Sequence, residues 1–444
     1  MKKRALIIFT RVPVPGQTKT RLLPYFTPKQ CAKLHTCFLK DIAKMCGQTD
    51  AEIFICHTPE DEEGILHRIF GDGAEYFLQT DGGLGERMYA AIERVLKKGC
   101  EACVLIGTDV PEVRERDVRQ AFELLETRDV VFAPVEDGGY YLVGMKKARR
   151  EVFEQKTYGH GDVLGETLKG LESCGISIGL IDKKCDIDTR EDIAAFRDRM
   201  RDSRELQQTE TGKYLLRTSK ISIIVPVYNE ETTIEALLSQ LRSIKDKCEI
   251  LIVDGGSTDR TLEYIDADFK VLHSEKGRAK QMNLGAKEST GDILFFLHCD
   301  SELPPRPLEQ IRYVMRDYRW GCFGVAFHSR NFFMFTCRVI SNHRIRDRKV
   351  VFGDQGIFID RDLFFEIGMY PEIPLMEDYQ LSLTLKERGE KIGIAGKRIY
   401  TSTRRFPEGT IPKLREMWKM NRLRKKYRDG VAIEEIAKMY GDVR

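Results

Sequence analysis

Carboxylates follow apolar runs in the second half of this chain, at spacings suited to metal and proton chemistry. Asp254 ends the run ILIVD, Asp300 ends FFLHCD, and Asp378 ends PLMED. One carboxylate can hold a divalent cation against a diphosphate, and another can take the proton of a hydroxyl group. This combination indicates displacement of a diphosphate leaving group by an acceptor hydroxyl.

The elements that position these residues are predicted from hydrophobic periodicity. Short runs rich in Val, Ile and Phe alternate with amphipathic stretches, which predicts two tandem α/β domains with mostly parallel sheets. Strands are predicted at 5–9, 52–56, 103–106, 130–134, 221–225, 250–254 and 292–298. Helices are predicted at 28–45, 85–97, 116–126, 230–244 and 277–289. Ligands bind beyond the carboxyl ends of such strands, so the carboxylates are expected at the ligand edge.

The domain boundary is predicted from a polar segment. Residues 201–219 lack a sustained apolar period, so they are interpreted as a linker between a domain at 1–200 and a second at 220–444. Each domain opens with a strand that ends in a Pro-containing loop, and each later has a strand that ends in an Asp shortly before a Pro, in GTDVP and HCDSELPP. We therefore expect similar architectures.

The second half resembles glycosyltransferase family 2 enzymes of the GT-A (Rossmann-like, nucleotide-diphospho-sugar transferase) fold. The motifs are VPVYNE, VDGGSTDRT, GRAKQMNLGA, HCDSELP, FGDQGIFI and PLMED, in that order, over about residues 220–440. More narrowly, this half resembles the radical-SAM/selenodomain-associated transferase of type 2. The resemblance implies inverting transfer of a sugar from a nucleotide-sugar donor with Mg²⁺ or Mn²⁺, to an acceptor that is a small molecule or a lipid.

Roles follow for residues in these motifs. The candidates for binding the donor nucleotide and its phosphates are Pro226, Tyr228, Glu230, Asp254, Gly256, Lys280, Arg404 and Arg405. The candidates for the sugar or acceptor are Gly353, Asp354 and Gln355. Asp300 with His298 would hold the metal, and Asp378 with Glu377 would supply the catalytic base.

Two positions depart from the commoner family pattern. Asp254 is followed by Gly255 where a second aspartate is usual, which leaves the donor nucleotide open. His298 stands at the first position of the usual Asp-x-Asp metal motif. One carboxylate with diphosphate oxygens can still hold Mg²⁺ or Mn²⁺, and imidazole tolerates Mn²⁺.

The first half carries its own candidates for phosphate and metal binding. Lys19 and Arg21 lie in a loop after the first strand, which suits a polyphosphate. Asp109 and Asp188, each at a predicted strand end, could hold a metal between them.

The motif DGGYYLVG, with Asp137 and Gly138, offers backbone that a base or sugar can approach. Together these motifs resemble the nucleotidyltransferase-like GT-A group that includes the molybdenum-cofactor and phospholactate guanylyltransferases. The closer resemblance is to the radical-SAM/selenodomain-associated transferase of type 1, over about residues 4–200. Three roles stay open for this half: forming a nucleotidyl bond that activates a sugar, transferring a sugar, or binding a nucleotide without catalysis.

Composition narrows the class of protein. The 42% hydrophobic and 32% charged residues are those of a globular protein, and 72 basic residues nearly cancel 69 acidic ones, so nucleic acid is not an expected partner. No run approaches the ~20 apolar residues that span a bilayer. Twelve cysteines are scattered without metal-site spacing, and a cytoplasmic location is expected. The basic segment 413–428 is interpreted as a solvated helix packed on the domain or, alternatively, as a peripheral membrane contact.

Overall fold

The chain forms two compact units, Met1–Leu215 and Leu216–Arg444. The computed structural model describes residues 3–23, 25–61, 64–154, 162–329, 331–402 and 410–440. Within these ranges, no helix is both long enough and apolar enough to cross a bilayer.

The first unit is built on a seven-stranded sheet in the order β3-β2-β1-β4-β6-β5-β7. Its strands are β1 (Arg4–Arg11), β2 (Glu52–Thr58), β3 (Glu75–Leu78), β4 (Ala102–Gly107), β5 (Val130–Pro134), β6 (Tyr140–Met145) and β7 (Ile178–Leu180). Its helices are α1 (Pro28–Cys46), α2 (Ile65–Phe70), α3 (Leu84–Lys97), α4 (Glu115–Leu124), α5 (Val163–Ser173), α6 (Arg190–Asp202), α7 (Arg204–Gln208) and α8 (Glu210–Thr218). Only β6 runs antiparallel to its neighbours.

The second unit is built on an eight-stranded sheet in the order β10-β9-β8-β11-β14-β13-β15-β12. Its strands are β8 (Ile221–Val227), β9 (Glu249–Asp254), β10 (Lys270–His273), β11 (Ile293–Phe296), β12 (Ser301–Glu302), β13 (Trp320–Ala326), β14 (Ile357–Asp360) and β15 (Ile392–Thr401). Its helices are α9 (Ile234–Arg242), α10 (Arg278–Glu288), α11 (Pro307–Met315), α12 (Phe332–Arg348), α13 (Arg361–Glu366), α14 (Glu377–Glu387), α15 (Thr410–Arg428) and α16 (Ile433–Tyr440). Strand β14 is antiparallel to β11 and β13, and β12 to β15.

Apart from the two-residue β12, the two sheets have the same topology, because each follows the chain order 3-2-1-4-6-5-7 with the sixth strand reversed. The similar architecture expected from the echo of GTDVP and HCDSELPP is therefore observed. The expected α/β class with mostly parallel sheets is also confirmed.

Each sheet is covered on both faces, which explains the continuous apolar runs of the central strands. In β1, Leu6 and Ile8 pack into one core while Ala5 and Ile7 pack into the other. Residues of α1 and α4 complete the first of these cores, and residues of α3 and α5 complete the second. A strand buried on both faces has no polar side to show, so its sequence lacks the alternation of a half-exposed strand.

The segment 201–219, interpreted as a linker, is largely helical. At the start of α8 the backbone N–H groups of Glu210 and Thr211 donate to the Asp41 carboxylate of α1, over 2.8 and 2.9 Å. A carboxylate at a helix N-terminus pairs with otherwise unbonded N–H groups. The polarity of this segment therefore reflects helix capping against the first unit.

Two predicted elements are shorter than expected. The helix predicted from Glu230 begins at Ile234, because Asn229 has a positive φ of 52° and the N–H of Glu230 donates to Thr261 Oγ1 at 2.7 Å. The strand predicted at 292–298 ends at Phe296, which places His298 in the following turn.

Candidate active site

The candidate site of the second unit lies at the carboxyl edge of its sheet. Strands β8, β9 and β11 are parallel, so their carboxyl ends meet there. Strand β14 is antiparallel to β11, and Ile357 pairs with Phe296, so the residues just before β14 come to the same edge. Gly353, Asp354 and Gln355 are those residues, and they form one turn of 3₁₀ helix.

Asp254, the last residue of β9, organises the loop that follows it. It is 2% exposed, and its carboxylate accepts hydrogen bonds from the N–H groups of Gly256 at 3.0 Å and Ser257 at 3.1 Å. Gly256 has a φ of +86°, which a glycine adopts at little cost. The turn around Asp254 is therefore fixed by the carboxylate itself.

Gly255, the departure from the family pattern, is explained by a buried glutamine. Gln281 Nε2 donates to the carbonyls of Val227 and Val253, over 2.7 and 2.8 Å, and so joins the ends of β8 and β9. A Cβ at position 255 would lie 3.0 Å from the Gln281 amide. Any larger side chain would therefore have to displace this bridge. Sequence reasoning missed Gln281, which lies within GRAKQMNLGA.

Three predicted donor-binding residues lie in or after β8. Pro226 is paired with Val253 in the sheet, and the Tyr228 ring has the Lys276 ammonium 4.3 Å from its centroid. The carboxylate of Glu230 accepts from Thr233 Oγ1 at 2.6 Å. These residues border the loop after Asp254, as the sequence predicts, and their contacts with a nucleotide stay a prediction.

Asp378, the predicted base, is held by the backbone on both oxygens. One accepts from the N–H of Gly353 at 2.7 Å, and the other accepts from the N–H of Tyr379 at 2.7 Å. The Cα of Gly353 also lies against the His298 ring, since a Cβ there would lie 2.4 Å from two of its atoms. Gly353 therefore contacts both His298, which follows β11, and Asp378, which lies at the start of α14.

Arg278 is the cation nearest this acidic group. Its Nη1 lies 3.5 Å from Glu377 Oε1, and Glu377 is buried. Burial opposes its charge, but the fields of Glu377, Asp378 and Asp300 outweigh burial and raise the pKa of Arg278. Burial, and then the Asp378 carboxylate, raise the pKa of Glu377. Sequence reasoning missed Arg278.

Lys280 was predicted from the same segment as Arg278, and it lies elsewhere. Its ammonium pairs with Glu275 on the surface, and this ion pair raises the pKa of Lys280. Residues two apart on a helix point in different directions, so Arg278 approaches Glu377 while Lys280 faces the surface, and a donor contact of Lys280 stays a prediction.

Tyr370 is a further residue that sequence reasoning missed. Its side chain is buried, and its hydroxyl makes no hydrogen bond among the described residues. Burial, and then the charges of Asp378 and Glu377, raise its pKa well above the usual range. The hydroxyl is therefore a donor held near the acidic group.

The donor set around Asp300 fits a metal that is shared with a substrate. Asp300 and His298 follow β11 at the ligand edge, and no group of three or more His, Cys, Asp or Glu with metal-binding geometry occurs among the described residues. Mg²⁺ is commonly bound by one or two carboxylates together with substrate phosphates. One carboxylate with a neighbouring imidazole suits that arrangement rather than a closed protein cage.

In the first unit, a lysine bridges the two carboxylates predicted to hold a metal. Lys19 Nζ contacts Asp109 and lies 2.9 Å from Asp188 Oδ1, and its side chain is only 4% exposed. Burial opposes the charge, but both carboxylates outweigh it and raise the pKa of Lys19. A metal between Asp109 and Asp188 would require this ammonium to leave, so the described geometry does not fit the expected metal site or a phosphate-binding Lys19.

The neighbouring residues complete this edge of the first unit. Arg21 reaches Asp188 at 3.4 Å, and Asp137 accepts from the N–H of Gly139 at 3.0 Å in the turn before β6. Gly138, in that turn, has a φ of +88°. Burial, and then repulsion from Asp137 and Asp188, raise the pKa of Asp186 to about 6. This edge is therefore acidic, with Lys19 at its centre.

Two known families match the chain, one in each of its two units. Residues 41–160 match a family described as an uncharacterized protein conserved in bacteria, and residues 222–371 match the family glycosyl transferase family 2. The second unit therefore contains a segment that is similar to this family. The broader resemblance stated from its motifs is thus confirmed, and the narrower radical-SAM/selenodomain resemblances stay predictions.

Individual relatives match parts of this chain. An uncharacterized glycosyltransferase of Haemophilus influenzae is 28% identical over 180 residues, which are 37% of this chain and 61% of that protein. A candidate nucleotide-diphospho-sugar transferase from Desulfovibrio desulfuricans G20 is 26% identical, with a TM-score of 0.46, over 48% of this chain and 94% of that one. The mannosyltransferase PcManGT from Pyrobaculum calidifontis, in complex with GDP-Man and Mn²⁺, is 20% identical, with a TM-score of 0.35, over 50% and 68%. The chain spans between 14% and 61% of the first curated relatives it matches.

Two predicted donor-binding residues of the second unit, Arg404 and Arg405, lie outside the described residues. Gln355 is buried, and its amide oxygen accepts from the N–H of Phe352 at 3.0 Å, so it stabilises the 3₁₀ turn. Asp354 is half-buried in the same turn. The structure therefore brings the predicted residues from His298 to Asp378 into one group.

Gly353→Ala tests the contact that joins His298 to Asp378. The new methyl group would overlap the His298 ring, and we expect a loss of about 1–3 kcal/mol in the free energy of unfolding, as for other overpacked sites. Urea denaturation measures it, and combining the change with His298→Ala should recover part of the loss. Gly396→Ala is the control, because nothing lies within 4 Å of its Cβ position. Equal effects at positions 353 and 396 would contradict the contact.

Lys19→Met tests the ion pair of the first unit, since methionine keeps the stem and removes the charge. The two facing carboxylates would then repel each other, and we expect the free energy of unfolding to fall by about 2 kcal/mol near pH 7. We also expect millimolar Mg²⁺ to raise the melting temperature of this variant more than that of the wild type. Lys98→Met, which removes an exposed ion pair with Glu75, is the control. An unchanged stability would argue against the bridge.

Proposed function

We propose that the second unit transfers a sugar from a nucleotide-diphospho-sugar donor to an acceptor hydroxyl, with inversion at the anomeric carbon. The observation that carries this proposal is the Asp378 carboxylate, fixed by two backbone N–H groups beside Arg278, Glu377 and the turn that holds Asp300. The family match over residues 222–371 supports the same activity.

Asp378 serves as the general base in this mechanism. Hydrogen bonds from the backbone N–H groups of Gly353 and Tyr379 orient its carboxylate. Its carboxylate takes the proton of the acceptor hydroxyl as that oxygen attacks the anomeric carbon. Attack from the side opposite the diphosphate inverts this carbon.

The departing diphosphate is assigned to the side of the site where Asp300 and His298 lie. A divalent ion held by Asp300 and His298 with the donor phosphates would neutralise negative charge as the glycosidic bond breaks. Arg278 supplies a fixed positive charge near Asp300 and balances the buried Glu377. Tyr370 would donate a hydrogen bond from its hydroxyl to a substrate oxygen.

For the first unit, the Lys19 bridge favours binding over metal-dependent nucleotidyl transfer. The two carboxylates that would hold a metal are already neutralised by Lys19 and Arg21. The bridge therefore disfavours catalysis through a metal between Asp109 and Asp188, and of the three roles left open for this unit we propose binding without catalysis.

We also propose that the second unit contacts an anionic membrane surface. Helix α12 exposes Phe332, Phe335, Val339 and Ile340, and α15 exposes Ile411, Leu414 and Trp418. These spacings place each set along one helix face. Phe332, Ile411 and Trp418 are 81%, 80% and 70% exposed.

Basic residues accompany both apolar faces. Arg338 and Arg346 lie in α12, and α15 carries Lys419, Lys425 and Lys426. Apolar side chains with interspersed basic residues suit the boundary between anionic headgroups and acyl chains. The carboxyl-terminal part of α15 is packed instead, since Leu423 is buried against Tyr379 and its neighbours. The packed interpretation of the basic segment therefore fits its carboxyl-terminal part, and the membrane contact is proposed for its amino-terminal part.

Asp378→Asn and Asp300→Ala test the catalytic proposal in the full chain. We expect each to reduce the rate of transfer by at least about a thousandfold, because proton removal and charge neutralisation act in the transition state. A panel of nucleotide sugars with Mn²⁺ or Mg²⁺, followed by release of nucleoside diphosphate, provides the measurement. The Asp109→Asn/Asp188→Asn double variant should keep full transfer. Retained turnover in Asp378→Asn or Asp300→Ala would remove that residue's role.

Trp418→Ser tests the membrane contact. Burial of a large apolar side chain contributes on the order of 1.5–3 kcal/mol, so we expect binding to anionic vesicles to weaken at least about tenfold. Cosedimentation with phosphatidylglycerol vesicles measures the change, and higher salt should weaken binding further. Leu180→Ser, which removes an exposed apolar side chain from the first unit, should bind as the wild type does. Equal binding by Trp418→Ser and the wild type would contradict the contact.

A further inference from the structure

Two arginines that form no ion pair with any described residue lie beside the proposed base. Arg344 of α12 and Arg424 of α15 each have the guanidinium carbon 4.3 Å from the centroid of the Phe352 ring. Phe352 directly precedes Gly353, whose N–H donates to Asp378. The two cations are therefore held at one ring, next to the turn that orients the base.

Neither guanidinium is satisfied by the described part of the protein. The Nε atoms of both are buried and make no hydrogen bond there, and neither arginine is within 4 Å of a described carboxylate. The one hydrogen bond of the pair runs from Arg424 Nη1 to Asn421 Oδ1, over 3.2 Å within the same helix. Several donors thus remain available at this position.

The two charges also oppose each other. Burial, and then repulsion from Arg424, lower the pKa of Arg344 to about 10, although Asp354 and Asp378 partly compensate. Burial also lowers the pKa of Arg424, against the fields of the same two carboxylates. Two like charges brought together out of water are costly without an anion between them.

We propose that Arg344 and Arg424 bind an anionic group of the acceptor, a phosphate ester, and so place its hydroxyl at Asp378. Guanidinium groups match phosphate oxygens with paired, charge-assisted hydrogen bonds. The inference rests on the proposed function, because it assigns the class of acceptor for that transfer.

The position of the pair distinguishes acceptor from donor. The carboxylates that act most strongly on Arg344 and Arg424 are Asp354 and Asp378, whereas Arg278 is the arginine that also feels Asp300. The donor diphosphate is assigned to the Asp300 side of the group. Both guanidinium groups lie at the Phe352 ring, directly before Gly353, whose N–H donates to Asp378, and we therefore assign the pair to the acceptor side of the site.

Titration of the full chain with inorganic phosphate at constant ionic strength tests the site by calorimetry. We expect saturable binding that weakens at least about tenfold in Arg344→Gln and in Arg424→Gln, because each removes charge-assisted hydrogen bonds. Arg422→Gln, which changes an exposed arginine of α15, should bind as the wild type does. Identical titrations of all variants would overturn the proposal.

A second titration separates the acceptor site from the donor site. With Mn²⁺ present, UDP and GDP should bind Arg344→Gln as they bind the wild type. Nucleotide affinity that falls together with phosphate affinity would assign the pair to the donor and overturn the acceptor role.

Two further arms identify the source of the phosphate. Saturation by glycerol 3-phosphate but not glycerol would identify a soluble ester. If binding to phosphatidylcholine vesicles that contain phosphatidic acid is lost in Arg344→Gln, the source of the phosphate is a lipid. Phosphate binding needs no turnover, and Asp378→Asn should keep it, so loss of the arginine site and failure of the transfer mechanism give different results.

Discussion

In both units, the direction of the strands determines where the charged side chains lie. Parallel strands bring their carboxyl ends to one edge, and the single reversed strand, β6 or β14, returns the chain to that edge. The turn before β14 therefore reaches the residues after β11, and Gly353 can contact both His298 and Asp378. Residues far apart in sequence therefore meet, because the strand directions bring their loops to the same edge of the sheet.

Carboxylates collected at one edge repel one another, and the two units balance them differently. In the first unit, Lys19 is buried between Asp109 and Asp188 and neutralises both. In the second unit, Arg278 approaches Glu377 from one side. In the first arrangement the cation occupies the space between the two carboxylates, whereas in the second it lies against Glu377.

The sequence allowed prediction of the features that depend on local pattern. Buried central strands and the carboxylates at their ends, such as Asp254, follow from apolar periodicity and position in the chain. Partners across the fold could not be predicted in this way. Lys280 was chosen in place of Arg278 because helix orientation at a sheet edge depends on packing, and Gly255 became intelligible only with the Gln281 bridge beside it.

The cations that sequence reasoning missed share one property: each lies on a helix that reaches the edge from elsewhere in the fold. Arg278, Arg344 and Arg424 come from α10, α12 and α15, and no short motif links them. Carboxylates lie at the sheet edge, and the surrounding helices supply the positively charged arginines. In the proposed mechanism, the acidic motifs therefore account for the reaction, and the arginines on the helices account for the choice of an anionic acceptor.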